Sequence, residues 1–329
     1  MLEADTVSIL YNLPGGCPLS SIAISFSVVF PIVMLIAVGC LTRVLHWVSA
    51  DAYRQMNKLV FHILLPCLIF SNISNAKIEE AMSIRLTLFG VIGVTICFLI
   101  GIFIAKAATK DPRKRGVVLQ SIFRSNFILY GLLIVQALYG DKTAVTSLLV
   151  AFVVPLFNIL AVISLEIFRG GKINVPDILL NMLKNPLIVA TVVACLFNSA
   201  GLSLPVIILQ PLGDLAKVAT PMALIVLGGT FEWQSIRENR RLLILTTGLK
   251  LFVWPVIFLS IAIAMGFRDV ELLTLAALFG SPAAVSSFSM AQQMGGDFEF
   301  TSQNVLFTTV LSFFTVFLMI AILSHFTLI

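Results

Sequence analysis

A short polar interruption in an apolar stretch is the feature of this sequence best suited to binding chemistry. Gly280-Ser281-Pro282 lies near the middle of Leu275–Asp297, which is otherwise apolar and long enough to cross a bilayer. Glycine ends helices and proline cannot donate a backbone hydrogen bond, so these residues predict a broken membrane helix. In hydrocarbon such a break is tolerated only where it is buried in protein or lines a cavity.

The order of residues at this break predicts where the helix restarts. Ser281 is suited to be an N-cap, Pro282 to take the first helical position and Ala283 to follow in the first turn. Free N–H groups at a helix N-terminus favour an anion. We therefore expect Gly280 to Ala283 to contribute to an anion site, and the alternative is a purely structural kink.

A second polar run, Arg124-Ser125-Asn126, interrupts another apolar segment. Ser125 or Asn126 could cap the outer half of a second discontinuous helix, and the alternative is that they join neighbouring helices by hydrogen bonds worth roughly 1 kcal/mol. A charge at the bilayer centre costs roughly 2.5–3.5 kcal/mol even on the lenient scale, so Arg124 must face polar surroundings. Arg124 could bind a substrate carboxylate or extend toward the cytoplasm.

Other polar residues inside apolar segments are candidates for a pathway or for coupling to an ion. Lys217 could line a pathway, but Asp214 lies three residues earlier and predicts a structural ion pair. A lone histidine or an uncharged polar residue in a helix bundle commonly serves packing. The candidates are Lys217, His62, Lys250, Gln120, Ser286 and Gln293.

Composition places these residues in a polytopic membrane protein. The 329 residues are 59% hydrophobic and 11% charged, whereas soluble domains carry roughly 25% charged residues. The net charge of +5 does not predict a nucleic-acid partner, because the basic residues cluster in short loops between apolar segments. The five cysteines form no CxxC motif, so we expect no metal and no other cofactor.

Apolar segments predict an all-α integral membrane protein with ten transmembrane helices. The expected spans are Ile22–Val44, Met56–Ile73, Leu86–Ala107, Val117–Leu138, Val145–Ile167, Leu187–Ala200, Val206–Thr230, Leu242–Met265, Leu272–Met294 and Val305–Phe326. Loops after the odd-numbered spans hold 14 basic residues and the opposite side holds 4. This asymmetry predicts that both termini are extracytoplasmic. We expect the location to be the inner (plasma) membrane.

An internal repeat divides the spans into two halves. A shift of 155 residues places Pro31 on Pro186 and Pro66 on Pro221. Since each half would hold five spans, the second half would enter the membrane the other way up, as in secondary transporters. We therefore expect five-helix inverted repeats at 21–168 and 186–329, an extracytoplasmic N-terminal extension at 1–20 and a cytoplasmic connection with an interfacial helix at 169–185.

The repeat also relates the two polar interruptions, because a shift of 156 residues places Asn126 opposite Pro282. Helices 4 and 9 are therefore predicted to be broken and to cross at the membrane midplane. Two helix N-termini and the Asn126 amide would then face one small volume.

With these motifs in view, the sequence resembles bacterial members of the auxin efflux carrier family, which includes malonate and malate permeases. The resemblance extends from Ser21 to the C-terminus and rests on LPCLIFSNIS, FRSNFILYGLLIVQALYGD, NPLIVA, TPMALIVLGG and SPAAVSSFSMAQQMGGD. It implies a transport domain (helices 3–5 and 8–10) that moves against a scaffold (helices 1, 2, 6 and 7) in an elevator-like cycle. It also implies organic anions as substrates and a homodimer as the assembly.

The sequence departs from the family pattern in helix 4. Family members often carry proline two residues after the glycine. Here the residue two positions after Gly131 is Leu133. We therefore expect a softer break held by Gly131 and Asn126.

These observations predict a secondary active transporter of small organic anions. A sodium-coupled organic acid symporter or a cation antiporter of similar fold is the alternative, although an antiporter requires paired acids in mid-membrane. A membrane enzyme would need clustered acids or a Ser/Cys–His arrangement, and the sequence offers neither. We therefore expect no enzymatic activity, with the lipid bilayer and a small anion as the interacting partners.

Overall fold

The protein is almost entirely helical. A computed structural model describes residues 18–74, 83–140, 142–169, 175–202 and 204–329, so most of the predicted N-terminal extension lies outside the described residues. The helices are α1 Pro18–Val44, α2 Ala50–Leu59, α3 Leu65–Ser74, α4 Ile84–Ala108, α5 Pro112–Phe123, α6 Phe127–Tyr139, α7 Ala144–Phe168, α8 Val175–Lys184, α9 Pro186–Ser199, α10 Val206–Gly229, α11 Ile236–Gly248, α12 Trp254–Ala264, α13 Asp269–Gly280, α14 Ser286–Met294 and α15 Phe298–His325.

Seven segments of the described chain are long and apolar enough to cross a membrane: α1, α2–α3, α4, α7, α10, α11–α12 and α15. The other three predicted spans coincide with shorter helices, namely α5 with α6, α9 alone, and α13 with α14. The chain is therefore a multi-pass, all-α membrane protein. The count of ten spans and the inverted repeat remain predictions.

Proline shapes two of the long spans. Val60–Leu64 joins α2 to α3 as a π-helical turn, and Leu249–Val253 joins α11 to α12 in the same way. Each turn ends just before a Leu-Pro or Trp-Pro pair, Leu65-Pro66 and Trp254-Pro255. Because proline lacks an N–H and clashes with the carbonyl four residues earlier, the helix widens locally and then continues.

Glycines allow α1 and α10 to touch backbone to backbone. A Cβ on Gly39 would collide with the carbonyl of Ile225, and one on Gly228 would collide with the carbonyl of Ile36. The Cys40 thiol donates to the Gly228 carbonyl at 3.3 Å. Such contacts are typical of membrane helix pairs, where small residues permit close approach.

The outward faces of the spans are apolar, as the lipid environment requires. Phe103 on α4, Ile207 on α10 and Phe314 on α15 are 73%, 81% and 61% exposed. The connection contains a helix, α8, with Leu180 and Leu183 exposed, and its location at the membrane interface remains a prediction. The Asp177 side chain, which formed part of its predicted polar stripe, lies outside the described residues.

Candidate functional site

The first polar run interrupts a helix, as predicted. α5 ends at Phe123 and α6 begins at Phe127, while Arg124 and Ser125 are buried between them. Asn126 occupies the N-cap position of α6, but its side chain makes no capping hydrogen bond. The first backbone bond of α6 runs from the Tyr130 N–H to the Asn126 carbonyl, so the N–H groups of 127–129 have no intrahelical acceptor.

The second break is longer than the sequence indicates, and the predicted N-cap is wrong. Ser281 ends α13 as its C-cap, with its hydroxyl donating back to the Ala277 carbonyl, and α14 begins only at Ser286. Pro282 is therefore not the first residue of a helix, and Ala283 is not in a first turn. The segment 281–285 is non-helical because its backbone forms hydrogen bonds across to the first break.

The two breaks lie directly against each other. The Asn126 N–H donates to the Pro282 carbonyl at 2.8 Å, and Ser125 pairs with Ala283 as an isolated antiparallel bridge. The Ser125 hydroxyl donates to the Leu278 carbonyl at 2.6 Å, which satisfies an acceptor near the end of α13. The breaks therefore supply one another's backbone hydrogen bonds, as a membrane interior requires.

Two further side chains complete this crossing. The Ala283 N–H donates to the Thr308 hydroxyl on α15 at 3.2 Å. The Lys250 ammonium, on the π turn between α11 and α12, donates to the Ser125 hydroxyl and is 2% exposed. Lys250 was predicted only as a residue of the pathway or of ion coupling, and the structure brings it to the crossing.

Arg124 is held inside the protein. Its guanidinium donates to the Asn158 side-chain oxygen on α7 at 2.9 Å and contacts the Met290 sulfur on α14. Asn158 in turn approaches the Thr191 hydroxyl of α9 at 3.5 Å. Arg124 is 4% exposed, which excludes the predicted alternative that it extends into the cytoplasm.

A cavity of about 90 Å³ lies beside the crossing. The break residues Arg124, Ser125 and Asn126 line it, and so do Asn158 of α7 and the first residues of α6 and α14. Its remaining wall is apolar and comes from α3, α7, α9 and α10, with Thr220 on α10 the exception. The described lining residues include the cation of Arg124 and no carboxylate, so the cavity is electropositive.

Both half-helices begin at this cavity. Ile128 and Leu129 of α6 and Ser286 of α14 are lining residues in the first turns of their helices. The N–H groups and dipoles of both helices therefore favour negative charge at this point. The Asn126 side-chain nitrogen is buried and has no hydrogen-bond partner among the described residues, which leaves it available to a ligand.

Both glycines that were predicted to bind the substrate serve packing. Gly131 lies inside the continuous helix α6, where a Cβ would approach the Phe127 ring to 2.7 Å, so it neither breaks the helix nor lines the cavity. Gly280 is the last residue of α13, and a Cβ there would approach the Met319 sulfur on α15 to 2.8 Å. Gly280 thus permits close contact of α13 with α15 and lies outside the cavity.

Of the other candidates, the structure places several away from the site. Lys217 pairs with Asp214 at 3.2 Å, with side chains 80% and 70% exposed, as the structural alternative predicted. The His62 ring lies exposed beside the Lys58 carbonyl. Gln120 is buried and donates to the Ala161 carbonyl at 3.1 Å. Gln293 is half-buried outside the cavity, whereas Ser286 lines it.

Sequence reasoning missed three polar residues near the crossing. Asn158 holds Arg124, and Thr308 accepts from Ala283. Asn304 lies one turn before Thr308 and is fully buried, and neither of its side-chain polar atoms has a partner in the part of the chain that the structure describes. Each is a polar residue inside an apolar span, and that signal could have identified them.

A multi-pass helical protein with two broken helices that meet beside a partly enclosed, electropositive cavity has the construction of a membrane transporter. The family model described as membrane transport protein matches residues 24–320. The chain belongs to this family, the auxin efflux carrier family, which is a family of transporters and not of enzymes.

Similar proteins from three organisms are also transporters by name. A protein of Rhizobium meliloti (strain 1021) named "Putative malonate transporter" is 26% identical over 302 residues, covering 88% of this chain and 92% of the relative. An "Uncharacterized transporter" of Methanothermobacter thermautotrophicus is 22% identical over 297 residues, covering 88% and 95%. A third, from Methanocaldococcus jannaschii, is 21% identical over 302 residues, covering 88% and 96%.

Proposed function

We propose that this membrane transporter moves small organic anions, carboxylates above all, by secondary active transport. The observation that carries the proposal is the cavity at the crossing. Arg124 and two helix N-termini face it, and none of its described lining residues is acidic. A carboxylate there would be held by the guanidinium and by backbone N–H groups, which are preferred donors to oxyanions.

The size of the cavity supports a small substrate. Since one buried water requires roughly 10–15 Å³ on the same measure, about 90 Å³ accommodates several waters or a few non-hydrogen atoms of a carboxylate. A bulkier anion would require the surrounding helices to separate. The malonate in the name of the Rhizobium meliloti relative makes malonate a sensible first probe.

The position of the cavity supports elevator-type alternating access. Leu65 and Leu187 belong to α3 and α9, and Ala223 belongs to α10; these helices fall in the proposed scaffold of spans 1, 2, 6 and 7. Apart from Thr220, the polar lining residues come from the first break, from Asn158 of α7 and from Ser286 at the start of α14, which fall in the proposed transport domain of spans 3–5 and 8–10. A bound anion would thus lie between the two domains and travel with the polar one.

Acidic groups give little support to a cation antiporter. Asp214, the acid predicted to lie well inside a span, is exposed and paired with Lys217. Asp297 lies at the start of α15, 3.7 Å from Lys114. Cation binding in mid-membrane would require carboxylates at the crossing, and the described residues that line the cavity include none.

The proposal includes a multi-pass location in the inner membrane. It places both termini outside the cytoplasm, because most of the basic residues lie in the loops after odd-numbered spans. It also includes a homodimer, which rests on the family resemblance.

The direct test is flux through purified protein in proteoliposomes. Labelled acetate, malonate, malate and benzoate should include at least one anion with saturable uptake and counterflow, while labelled rubidium and methylammonium should show none. Correctly folded protein without saturable flux of any anion would contradict the proposal. Saturable flux of the cations alone would favour an antiporter, and anion flux that requires sodium would favour a sodium-coupled symporter.

A further inference from the structure

Lys250 places a positive charge at the crossing of the breaks although it belongs to neither broken span. The π turn Leu249–Val253 that carries it packs against α5, α13 and α15. The lysine lies 125 residues from Ser125 along the chain, yet its ammonium donates to the Ser125 hydroxyl. The contact therefore joins a third span to the point where the two breaks meet.

The direction of the hydrogen bonds at Ser125 is fixed. Its hydroxyl carries one proton, which it donates to the Leu278 carbonyl, so its lone pairs are free to accept from the ammonium. The chain Lys250 to Ser125 to Leu278 thereby links the π turn through the first break to the end of α13. The bridge between Ser125 and Ala283 extends the same link to the second break.

No carboxylate of the described residues forms an ion pair with Lys250. Within the described residues, none of the ion pairs includes Lys250 or Arg124, and both side chains are almost fully buried. An isolated buried cation is strongly disfavoured unless a charge of opposite sign is near. The cavity that Ser125 lines is the space in which a compensating anion would lie.

We propose that the Lys250 ammonium is a resident cation of the crossing. It holds Ser125 in register with the second break and supplies positive potential to the bound anion, so that transport requires no sodium ion. Lys250 is a positioning residue, because it acts on the substrate through Ser125. This inference rests on the proposed function.

The principal test compares Lys250→Met with wild type in malonate uptake by proteoliposomes. Methionine has a similar length and no charge. We expect kcat/KM to fall by at least about tenfold, the scale of one lost charged hydrogen bond. Lys217→Met removes an exposed lysine that is paired away from the cavity and should transport like wild type. Wild-type flux should be equal in sodium and in N-methylglucamine buffers.

A second variant separates charge from packing. Lys250→Ala leaves space beside Ser125, and added ethylammonium should restore part of the lost flux; the same amine added to wild type controls for its effect on liposome pH. The inference is overturned if Lys250→Met keeps wild-type kcat/KM, if ethylammonium restores nothing, or if wild-type flux depends on sodium.

The proposed function and the role of Lys250 are overturned by different results. Wild-type protein that moves none of the anions removes the proposed function and this inference with it. Wild-type flux that Lys250→Met retains removes the role of Lys250 alone.

Discussion

Removing the charge of Arg124 should weaken anion binding strongly while leaving the fold nearly as stable. In Arg124→Met the carboxylate loses a buried, charged partner, which costs about 2–5 kcal/mol in comparable buried charge pairs. Because about 1.4 kcal/mol corresponds to tenfold, the dissociation constant should rise by about 30- to 4000-fold. Few single substitutions in the cavity should have so large an effect.

The stability of the same variant follows from opposing terms. The side-chain oxygen of Asn158 loses its donor, which costs about 1–3 kcal/mol, but the burial penalty of a guanidinium without a carboxylate is relieved. The free energy of unfolding should therefore change by about 2 kcal/mol or less. Arg124→Lys keeps the charge but loses the planar fork of the guanidinium. Its affinity for malonate should therefore lie between those of wild type and Arg124→Met.

The assay is saturation of malonate uptake in proteoliposomes, with malonate binding and thermal unfolding measured in detergent. Arg54→Met is a matched control, since the Arg54 side chain is 67% exposed on α2, away from the cavity. Unchanged malonate affinity in Arg124→Met would refute the assignment of Arg124 to the anion. A loss of affinity that merely follows a loss of folded protein would assign Arg124 to structure instead.

The remaining predictions concern the breaks and the glycine contact. Asn126→Ala removes an amide that does not cap α6 and whose nitrogen has no partner among the described residues. Thermal unfolding should therefore be unchanged, while malonate flux falls by about tenfold. Equal losses of stability and flux would indicate a structural role. Pro282→Ala supplies an N–H at the second break and should favour helical continuation of α13, with flux reduced at unchanged folded yield; normal flux would show that the proline is dispensable. Gly228→Ala forces a methyl against the Ile36 carbonyl and should destabilise the protein by about 1–3 kcal/mol, visible as a lower midpoint of thermal unfolding, whereas an unchanged midpoint would contradict the backbone contact.

The sequence was sufficient to locate both breaks, for a physical reason. The free backbone groups of a Gly-Ser-Pro break and the charge of an arginine are costly where they are exposed to lipid. Such residues therefore mark the places where the protein must supply its own polar environment. The family was also within reach, because several motifs occur in a fixed order along most of the chain.

The details of the site depended on contacts between distant residues. The second break is followed by a new helix, α14, that begins only at Ser286, because the Pro282 carbonyl accepts from the Asn126 N–H. No local sequence pattern contains this bond. Likewise the partner of Lys250 lies in another span, whereas Lys217 has a local partner and is on the surface. The ion pair of Lys217 could be read from the sequence, because Asp214 lies three residues earlier, whereas the partner of Lys250 depends on how the helices pack.

The backbone contact between α1 and α10 limits how the protein can change shape. Where a methyl group cannot fit between Gly228 and Ile36, one helix cannot slide past the other by even a single side chain. The two helices therefore move as one rigid unit, and any displacement of helices must occur at the side-chain contacts that surround the cavity. Spin labels on Val38 and Val218, both exposed to lipid, should report one separation in every state of the carrier.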